Sequence, residues 1–219
     1  MRIRRTITAI IGISALALMS VPVATVAAAP AGVVSASNWY EGRTGTVKWA
    51  IGDEFLEQLT DAGATMTFCD AAKLSTVSGV NVATMPATGN SVIELNGGKG
   101  SFDGVTDCLV TISGNGATVE FTRLYFGVTS GNTSYMSALF NDEYTGIATG
   151  ASRKLPKKAT ANRVSVVSPP LLVDADFVDI LRAGPVPNMT SDPVNLGLFQ
   201  LTLKVKKTSR PQNPNNSEG

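Results

Sequence analysis

The residue types that usually carry catalysis are sparse in this chain of 219 residues. It contains no histidine, so the Ser-His and Cys-His pairs that activate a nucleophile cannot form. The sequence also lacks a GxSxG elbow, a phosphate-binding P-loop and an HExxH helix. These absences predict that the protein is not an enzyme.

Two groups of carboxylates have spacings that are typical of proton transfer or cation binding. Asp103 and Asp107 flank a glycine in a turn-like stretch, where solvated acids are common. Paired acids do acid–base work only when burial or proximity separates their pKa values. Three aspartates have part of the spacing of a calcium loop; they are Asp174, Asp176 and Asp179. They lack the glycine and the closing glutamate of an EF-hand loop, so neither group predicts a site.

The beginning of the chain predicts export. Three arginines precede an apolar run from residue 7 to about residue 23, and small residues follow at 27–29. This is the pattern of a secretory signal peptide, which is removed from the mature protein. A later cleavage site at residues 34–36 is the alternative. We divide the chain into a signal peptide (1–28), an N-terminal linker (29–44), one domain (45–206) and a disordered polar tail (207–219).

Charge and hydropathy exclude several classes of partner. The full chain has 18 basic and 17 acidic residues, and loss of the signal-peptide arginines makes the mature protein slightly acidic. A nucleic-acid-binding protein would need a dominant basic face. No second apolar run of about 20 residues is present, so we expect no transmembrane helix in the mature chain. The protein is therefore expected to be secreted or associated with the cell envelope.

The chain has two cysteines, Cys69 and Cys108. An even number of cysteines in an exported chain predicts a disulfide. Two thiols that bound a metal would need further soft ligands, and the chain has neither histidine nor another cysteine. Closing a loop of about 40 residues would stabilise the fold by up to roughly 4 kcal/mol on the chain-entropy model. We expect a Cys69–Cys108 bond.

Short runs rich in Val, Ile, Thr and aromatic residues, separated by Gly/Asn turns, predict β-hairpins over most of the chain after residue 63. The final run alternates most regularly, and its apolar residues are Phe199, Leu201, Leu203 and Val205. One face of this strand should meet a core and the other should meet water. The fold class predicted is all-β, mainly an antiparallel β-sandwich with one or two short helices; a closed barrel is the alternative.

Two stretches interrupt the β pattern. VSPPLLVDADFVDILRAGPVP predicts one helical turn or more, because its apolar residues have helical spacing between prolines. SRKLPKKATANR is basic; its cations are Arg153, Lys154, Lys157, Lys158 and Arg163. Pro156 and the small residues oppose a regular element, which predicts a solvated loop. The functional alternative is contact with an anionic envelope polymer or a lipid headgroup.

The segment GTVKWAIGDEFLEQL, residues 45–59, changes its hydrophobic period halfway along. Val47, Trp49 and Ile51 alternate with other residues, as in a half-buried strand. The apolar residues between Phe55 and Leu59 then have the spacing of one helix face. The pattern predicts a strand that leads directly into a short helix.

Trp49, Ile51 and Phe55 resemble the start of the HtaA-type haem-binding domain of actinobacterial surface proteins. Members of that family have a tryptophan, an aliphatic residue two positions later, a phenylalanine four further on and a tyrosine after three more. The resemblance implies a two-sheet β-sandwich with short helices, in which the tyrosine ligates haem iron. Gln58 occupies the tyrosine position here, and an amide is a poor iron ligand. The resemblance therefore implies the family's shape without its iron ligand.

Two functional hypotheses follow. In the first, haem or another apolar small molecule binds in a pocket near the Trp49–Leu59 segment. The candidate ligand-binding residues are Trp49, Phe55, Gln58 and Tyr125. Other side chains that could ligate iron are Tyr40, Tyr135, Tyr144, Met66, Met136 and Met189. In the second, the protein is a structural or adhesive surface protein with no small-molecule ligand, and residues 49–59 are simply core.

Overall fold

The computed structural model describes residues 39–89, 92–94, 102–129, 133–151, 157–160 and 162–208. Within these ranges the chain forms fourteen strands and two short helices, which is an all-β fold as predicted. The strands are β1 (Trp39–Ile51), β2 (Thr65–Phe68), β3 (Lys73–Val77), β4 (Val80–Gly89), β5 (Val92–Glu94), β6 (Phe102–Thr106), β7 (Val110–Gly114), β8 (Ala117–Val128), β9 (Thr133–Phe140), β10 (Glu143–Ala151), β11 (Lys157–Thr160), β12 (Arg163–Val167), β13 (Leu171–Val173) and β14 (Asn195–Thr208). The helices are α1 (Asp53–Asp61) and α2 (Ala175–Arg182). The predicted signal peptide and most of the predicted tail lie outside the described residues.

The hydrogen-bonded path of strands returns to its starting point. It runs β14–β13–β10–β9–β8–β6–β4–β1, and β1 then pairs antiparallel with β14 from Trp39↔Thr208 to Ile51↔Gly197. Across the interior, the rings of Phe126 in β8 and Phe199 in β14 lie 5.5 Å apart. The strands therefore form one closed ring, and its opposite walls pack face to face across a shared core, as the two layers of a β-sandwich do.

The alternation predicted for the last strand is confirmed. All four of its predicted apolar residues are buried, and the polar residues between them are exposed or half-buried. The inner faces of β1, β4 and β12 follow the same rule, with buried residues at every second position. The core therefore lies inside the ring of strands.

Strand β8 belongs to two sheets. Its first half pairs with β7, which pairs with β2, and its second half pairs with β6 and β9. The register against β9 shifts between Thr122 and Tyr125, and Arg123 has a φ of 46° at this point. Such a bulge bends a strand and increases its twist. The small sheet β2–β7–β8 contacts α1 through β2.

Three hairpins have two-residue turns in which both residues have positive φ. The turn residues are Ser78-Gly79, Asn115-Gly116 and Asn141-Asp142. Positive φ at both positions defines a type I′ turn, whose twist matches that of the flanking strands. The sequence SGNG at residues 113–116 is one of the predicted Gly/Asn turns, and Asn115-Gly116 confirms it. The β3–β4 hairpin around Ser78-Gly79 was not predicted.

Both predicted helices are present. α1 follows β1 after Gly52, and it buries Phe55 and Leu59. α2 buries Phe177, Val178 and Leu181 against the same core. The helical spacing read from the sequence therefore located both helices, although Leu56 and Ile180, on their predicted apolar faces, are only half-buried.

Two segments differ from expectation. Residues 157–160 of the basic stretch form β11, which pairs with β12 over its whole length. The predicted loop is wrong there, because backbone pairing with a neighbouring strand outweighs local composition. β1 begins at Trp39, inside the segment assigned to the linker, because its first residues pair with both β14 and β5.

Candidate functional site

Trp49 lies on the inner face of β1 and is only 3% exposed. Its indole Nε1–H donates to the carbonyl oxygen of Leu196 at 3.1 Å. Its ring meets the ring of Phe68 edge-on, with centroids 5.9 Å apart. A buried indole needs a partner for its N–H, and the start of β14 supplies one. Trp49 is a core residue that joins β1, β2 and β14.

Phe55 is fully buried between the two helices. Its ring centroid lies 6.1 Å from that of Phe177 in α2, which lies 5.1 Å from that of Phe121 in β8. Phe121 in turn lies 5.6 Å from Phe140 in β9. Aromatic pairs of this kind stabilise by about 0.5–1.5 kcal/mol beyond the area that they bury. These rings form a continuous series of contacts from α1 through α2 and β8 to β9.

Gln58 is half-buried and holds the chain that precedes β14. Its Oε1 accepts a hydrogen bond from the backbone N–H of Thr190 at 3.0 Å. One turn earlier, Oε2 of Glu54 accepts from the backbone N–H of Asn195 at 2.9 Å. Residues four apart lie on one side of a helix, so α1 holds this segment at two points. Gln58 therefore has a structural role at the position where the resemblance implies an iron ligand.

Tyr125 lies away from the β1–α1 residues, in the second half of β8. Its hydroxyl is 2.8 Å from that of Tyr144 in β10, and the two rings meet edge-on at 5.3 Å. The hydrogen bond with Tyr144, and then burial, raises the pKa of Tyr125. Trp49, Phe55 and Gln58 thus lie along β1 and α1, and Tyr125 belongs to a separate tyrosine pair.

The remaining candidate iron ligands are dispersed. Tyr135 lies over Gly127, where a Cβ would be 2.4 Å from the phenol oxygen. Burial, with Asp103 contributing second, raises the pKa of Tyr135 to about 12. Met136 and Met189 are buried in the core, and a half-buried Tyr40 packs against it. Met66 is the one of these candidates that faces the cleft described next.

An apolar cleft opens beside α1. We call it the α1 cleft; its volume is about 340 Å³, and it lies between α1, β2 and the β3–β4 hairpin. Its apolar lining includes Leu56, Leu59, Met66, Phe68, Leu74 and Val82. Its polar lining is Thr60, Ser75, Thr76 and Asn81. Thr60 donates to the Leu56 carbonyl at 2.8 Å and Thr76 to Asn81 at 3.2 Å, so these two hydroxyls are engaged.

The outer wall of the α1 cleft is exposed. Leu74 on β3 is 63% exposed although it faces an apolar cleft. Every residue of β3 is exposed, and Val77 on the same strand is 58% exposed without lining the cleft. A leucine beside an apolar cleft and open to solvent gains free energy when a ligand covers it.

The predicted disulfide is confirmed. Cys69 and Cys108 are bonded, with Cα atoms 5.2 Å apart. Cys69 directly follows β2, and its backbone N–H donates to the carbonyl of Leu109 at 2.9 Å. Met66 and Phe68 of β2 line the α1 cleft, so the disulfide fixes the strand that forms its inner wall.

The cations of the basic stretch do not form one described cluster. Arg163 is exposed at the start of β12, and β11 contains Lys157 and Lys158. Arg153 and Lys154 fall outside the described residues. Arg163 instead lies near Lys48 of β1 and Lys204 of β14, which are distant from it in the sequence.

Sequence reasoning missed the hairpin that forms the outer wall of the α1 cleft. The signal was present: Ser78-Gly79 is a turn-forming dipeptide between KLSTV and VNVATM, two β-type runs. The position of this hairpin beside α1 is a tertiary feature, and no local pattern specifies it.

In the described part of the chain, no three His, Cys, Asp or Glu residues are placed to hold a metal ion. None of the described helices is long and apolar enough to span a membrane.

Comparison with known proteins leaves the family open. No family model matches the sequence, and no curated protein does. Among solved structures, the chain is similar to the crystal structure of the C-terminal domain of HtaA from Corynebacterium glutamicum. The TM-score is 0.48 and the sequence identity 10%, over 78% of this chain and 99% of that domain. A likeness at this level assigns no role to any residue of this chain.

Proposed function

We propose that this protein is an exported, non-enzymatic module that binds an apolar small molecule in the α1 cleft. The observation that carries the proposal is the cleft itself, with its apolar lining and its exposed Leu74. Its volume of about 340 Å³ falls within the range of roughly 300–1,000 Å³ that is usual for small-molecule sites. The signal-peptide pattern and the disulfide support export.

The lining of the α1 cleft favours some ligands over others. It contains neither a charged side chain nor a tyrosine among the described residues, so it suits an uncharged apolar body. The HtaA resemblance suggests haem as a ligand. Among the residues that line the cleft, Met66 has a thioether sulfur that could ligate iron. Because Gln58 stands at the position of the family's tyrosine and the cleft lining contains no tyrosine, we expect no tyrosinate-type haem complex in the wild-type protein.

The test compares two exposed apolar residues of β3. The purified protein is titrated with N-phenylnaphthylamine, a fluorescent apolar probe, and separately with haemin. Leu74→Asp places a carboxylate in the cleft and should weaken probe binding by about tenfold or more. Val77→Asp adds the same charge to the same strand outside the cleft and should leave binding unchanged.

Other outcomes identify other functions. An equal loss of probe binding in both variants would show that the probe binds the exposed strand β3 and not the cleft. That outcome would favour the adhesive alternative. Saturable haemin binding that a single tyrosine substitution abolishes would overturn the expectation about iron ligation. If the wild-type protein binds neither N-phenylnaphthylamine nor haemin, the proposed function is wrong.

A further inference from the structure

A second concave surface lies on the outer face of β12, β14 and β1. We call it the cationic groove; its volume is about 440 Å³, and it is lined by the cations Lys48, Arg163 and Lys204. The other lining residues are Thr44, Gly45, Thr46, Gln200 and Thr202. Within the described part of the chain, this lining includes neither an acidic nor an apolar side chain. It therefore differs in chemistry from the α1 cleft.

A bulge in β1 shapes the groove. The register between β1 and β14 shifts between Gly42 and Gly45. A Cβ at Gly45 would lie 2.0 Å from the carbonyl oxygen of Thr202, so the two strands approach closely only because position 45 has no side chain. Thr44 and Thr46 flank this close approach, and both line the groove. The concave form is thus built into the backbone.

The cations of the groove repel one another. Arg163 and Lys204 are directly opposite in the register of β12 and β14. Like charges in this position destabilise a sheet. Neither residue, nor Lys48, forms an ion pair with another residue that the structure describes. Glu41, the acidic residue of β1, instead pairs with Arg43 at 3.4 Å.

We propose that the cationic groove binds a linear anionic polysaccharide. Bound carboxylate, sulfate or phosphate groups would neutralise the Arg163–Lys204 repulsion. Thr202 and the amide nitrogen of Gln200 are hydrogen-bonded to Ser165 at 2.9 and 3.4 Å. The hydroxyls of Thr44 and Thr46 and the amide oxygen of Gln200 would therefore bond the sugar hydroxyls. The chain as a whole is nearly neutral, at a formal net charge of +1, so these cations do not reflect a generally basic surface. The basic stretch contributes Arg163 to this groove, and two lysines from other strands complete its set of cations.

The shape and lining favour a polysaccharide over two other anionic partners. An acidic peptide usually anchors through apolar or aromatic side chains, and the groove has no apolar lining to receive them. A lipid surface is flat, and peripheral proteins add apolar insertion to their basic patches. A concave, hydroxyl-lined groove suits a narrow polar chain.

The experiment titrates the purified protein calorimetrically with dextran sulfate. Neutral dextran and vesicles of phosphatidylglycerol are the comparison ligands. We expect saturable binding to dextran sulfate, weakened by added salt, and none to neutral dextran. Lys48→Gln, Arg163→Gln and Lys204→Gln should each weaken binding by about two- to fivefold, and the triple variant by on the order of twentyfold.

A charge-matched control separates the groove from general attraction. Lys73→Gln removes one charge from β3, where Lys73 is exposed but does not line the groove, and it should leave binding unchanged. Arg163→Gln should keep or raise the melting temperature, by about 1–2 °C, because it relieves a like-charge pair. Equal weakening by Lys73→Gln, tighter binding to the vesicles than to dextran sulfate, or no binding to dextran sulfate would each overturn the proposal.

Discussion

The two sides of helix α1 have different environments. On one side, Phe55 packs against α2 and Gln58 holds the backbone of Thr190, so the space is filled and hydrogen-bonded. On the other side, Leu56 is half-buried and lines the α1 cleft, whose outer wall is partly exposed; Leu59 lies between the two sides, buried at the floor of the cleft. We call these the closed side and the open side. The position where the family resemblance implies a ligand is closed, and an apolar cleft lies on the other side of the same helix.

This difference shows that the type of a residue does not determine whether it packs in the core or lines a cleft. Phe55, Leu56 and Leu59 share one helical pattern in the sequence, and each would be assigned to a core. Only the partners differ: α2 and the segment before β14 cover one side, and the β3–β4 hairpin covers the other incompletely. Tertiary neighbours therefore decide whether an apolar helix face becomes core or cleft.

The largest expected effect tests the closed side. Phe55→Ala should lower the free energy of unfolding by about 3–5 kcal/mol, because it removes a fully buried ring and leaves a cavity between the helices. Leu56→Ala, next to it and half-buried, should cost on the order of 1 kcal/mol, since it loses only part of its burial. Urea denaturation measures both. Equal losses would mean that the two sides do not differ in packing.

The second effect concerns the inner wall of the open side. Replacing both cysteines, Cys69→Ala with Cys108→Ala, should lower the free energy of unfolding by about 2–4 kcal/mol, because the bond closes a loop with a sequence separation of 39 residues. We also expect weaker apolar-probe binding, since β2 loses a constraint on Met66 and Phe68. Denaturation and titration of the same variant check both outcomes. A stability loss with unchanged binding would show that β2 keeps its position without the bond.

Much of the fold follows from local pattern. The two-residue period predicted β14 and its buried face, and helical spacing predicted α1 and α2. An even cysteine count, together with the signal-peptide pattern, predicted the disulfide. Each of these signals lies within a short window or depends on simple counting, so a single sequence suffices.

The site depends on contacts that no short window contains. Gln58 and Thr190 are 132 positions apart, and their hydrogen bond depends on how α1 meets the segment before β14. The cationic groove combines Lys48 with Arg163 and Lys204 through strand pairing alone. The register between distant strands is set by the whole sheet. The composition of the basic stretch therefore predicts a loop, whereas residues 157–160 pair with β12.

A smaller effect tests the structural role of Gln58. Gln58→Ala leaves the Thr190 N–H without its partner and should lower the free energy of unfolding by about 1 kcal/mol. Gln58→Glu keeps an acceptor oxygen at nearly the same position, so it should cost less than Gln58→Ala. Thermal unfolding of the two variants beside the wild type gives the comparison. If both variants match the wild type, the hydrogen bond contributes nothing and the closed side depends on its aromatic rings alone.

The smallest effect lies at the start of α2, the partner of α1 on the closed side. Burial raises the pKa of Asp174, the neighbouring Asp176 also raises it, and the hydrogen bond from Thr149 partly opposes them. A folded pKa above the unfolded value means that the folded state binds the proton more tightly. This contribution to stability is fully present below the ordinary aspartate pKa and is lost as the pH rises through the raised value.

Asp174→Asn should therefore flatten that pH dependence. Asparagine is as favourable as aspartate at a helix N-terminus, and the wild-type side chain makes no capping hydrogen bond there, so the substitution changes charge more than geometry. The gain at neutral pH should be small, because a helix N-terminus favours the negative charge that burial disfavours. The measurement is the melting temperature of both proteins from acidic to neutral pH, where the wild type should lose more stability than the variant. A wild type that instead gains stability over this range, relative to the variant, would show that the carboxylate is favourable in its charged form and that the helix dipole outweighs burial at this end of the closed side.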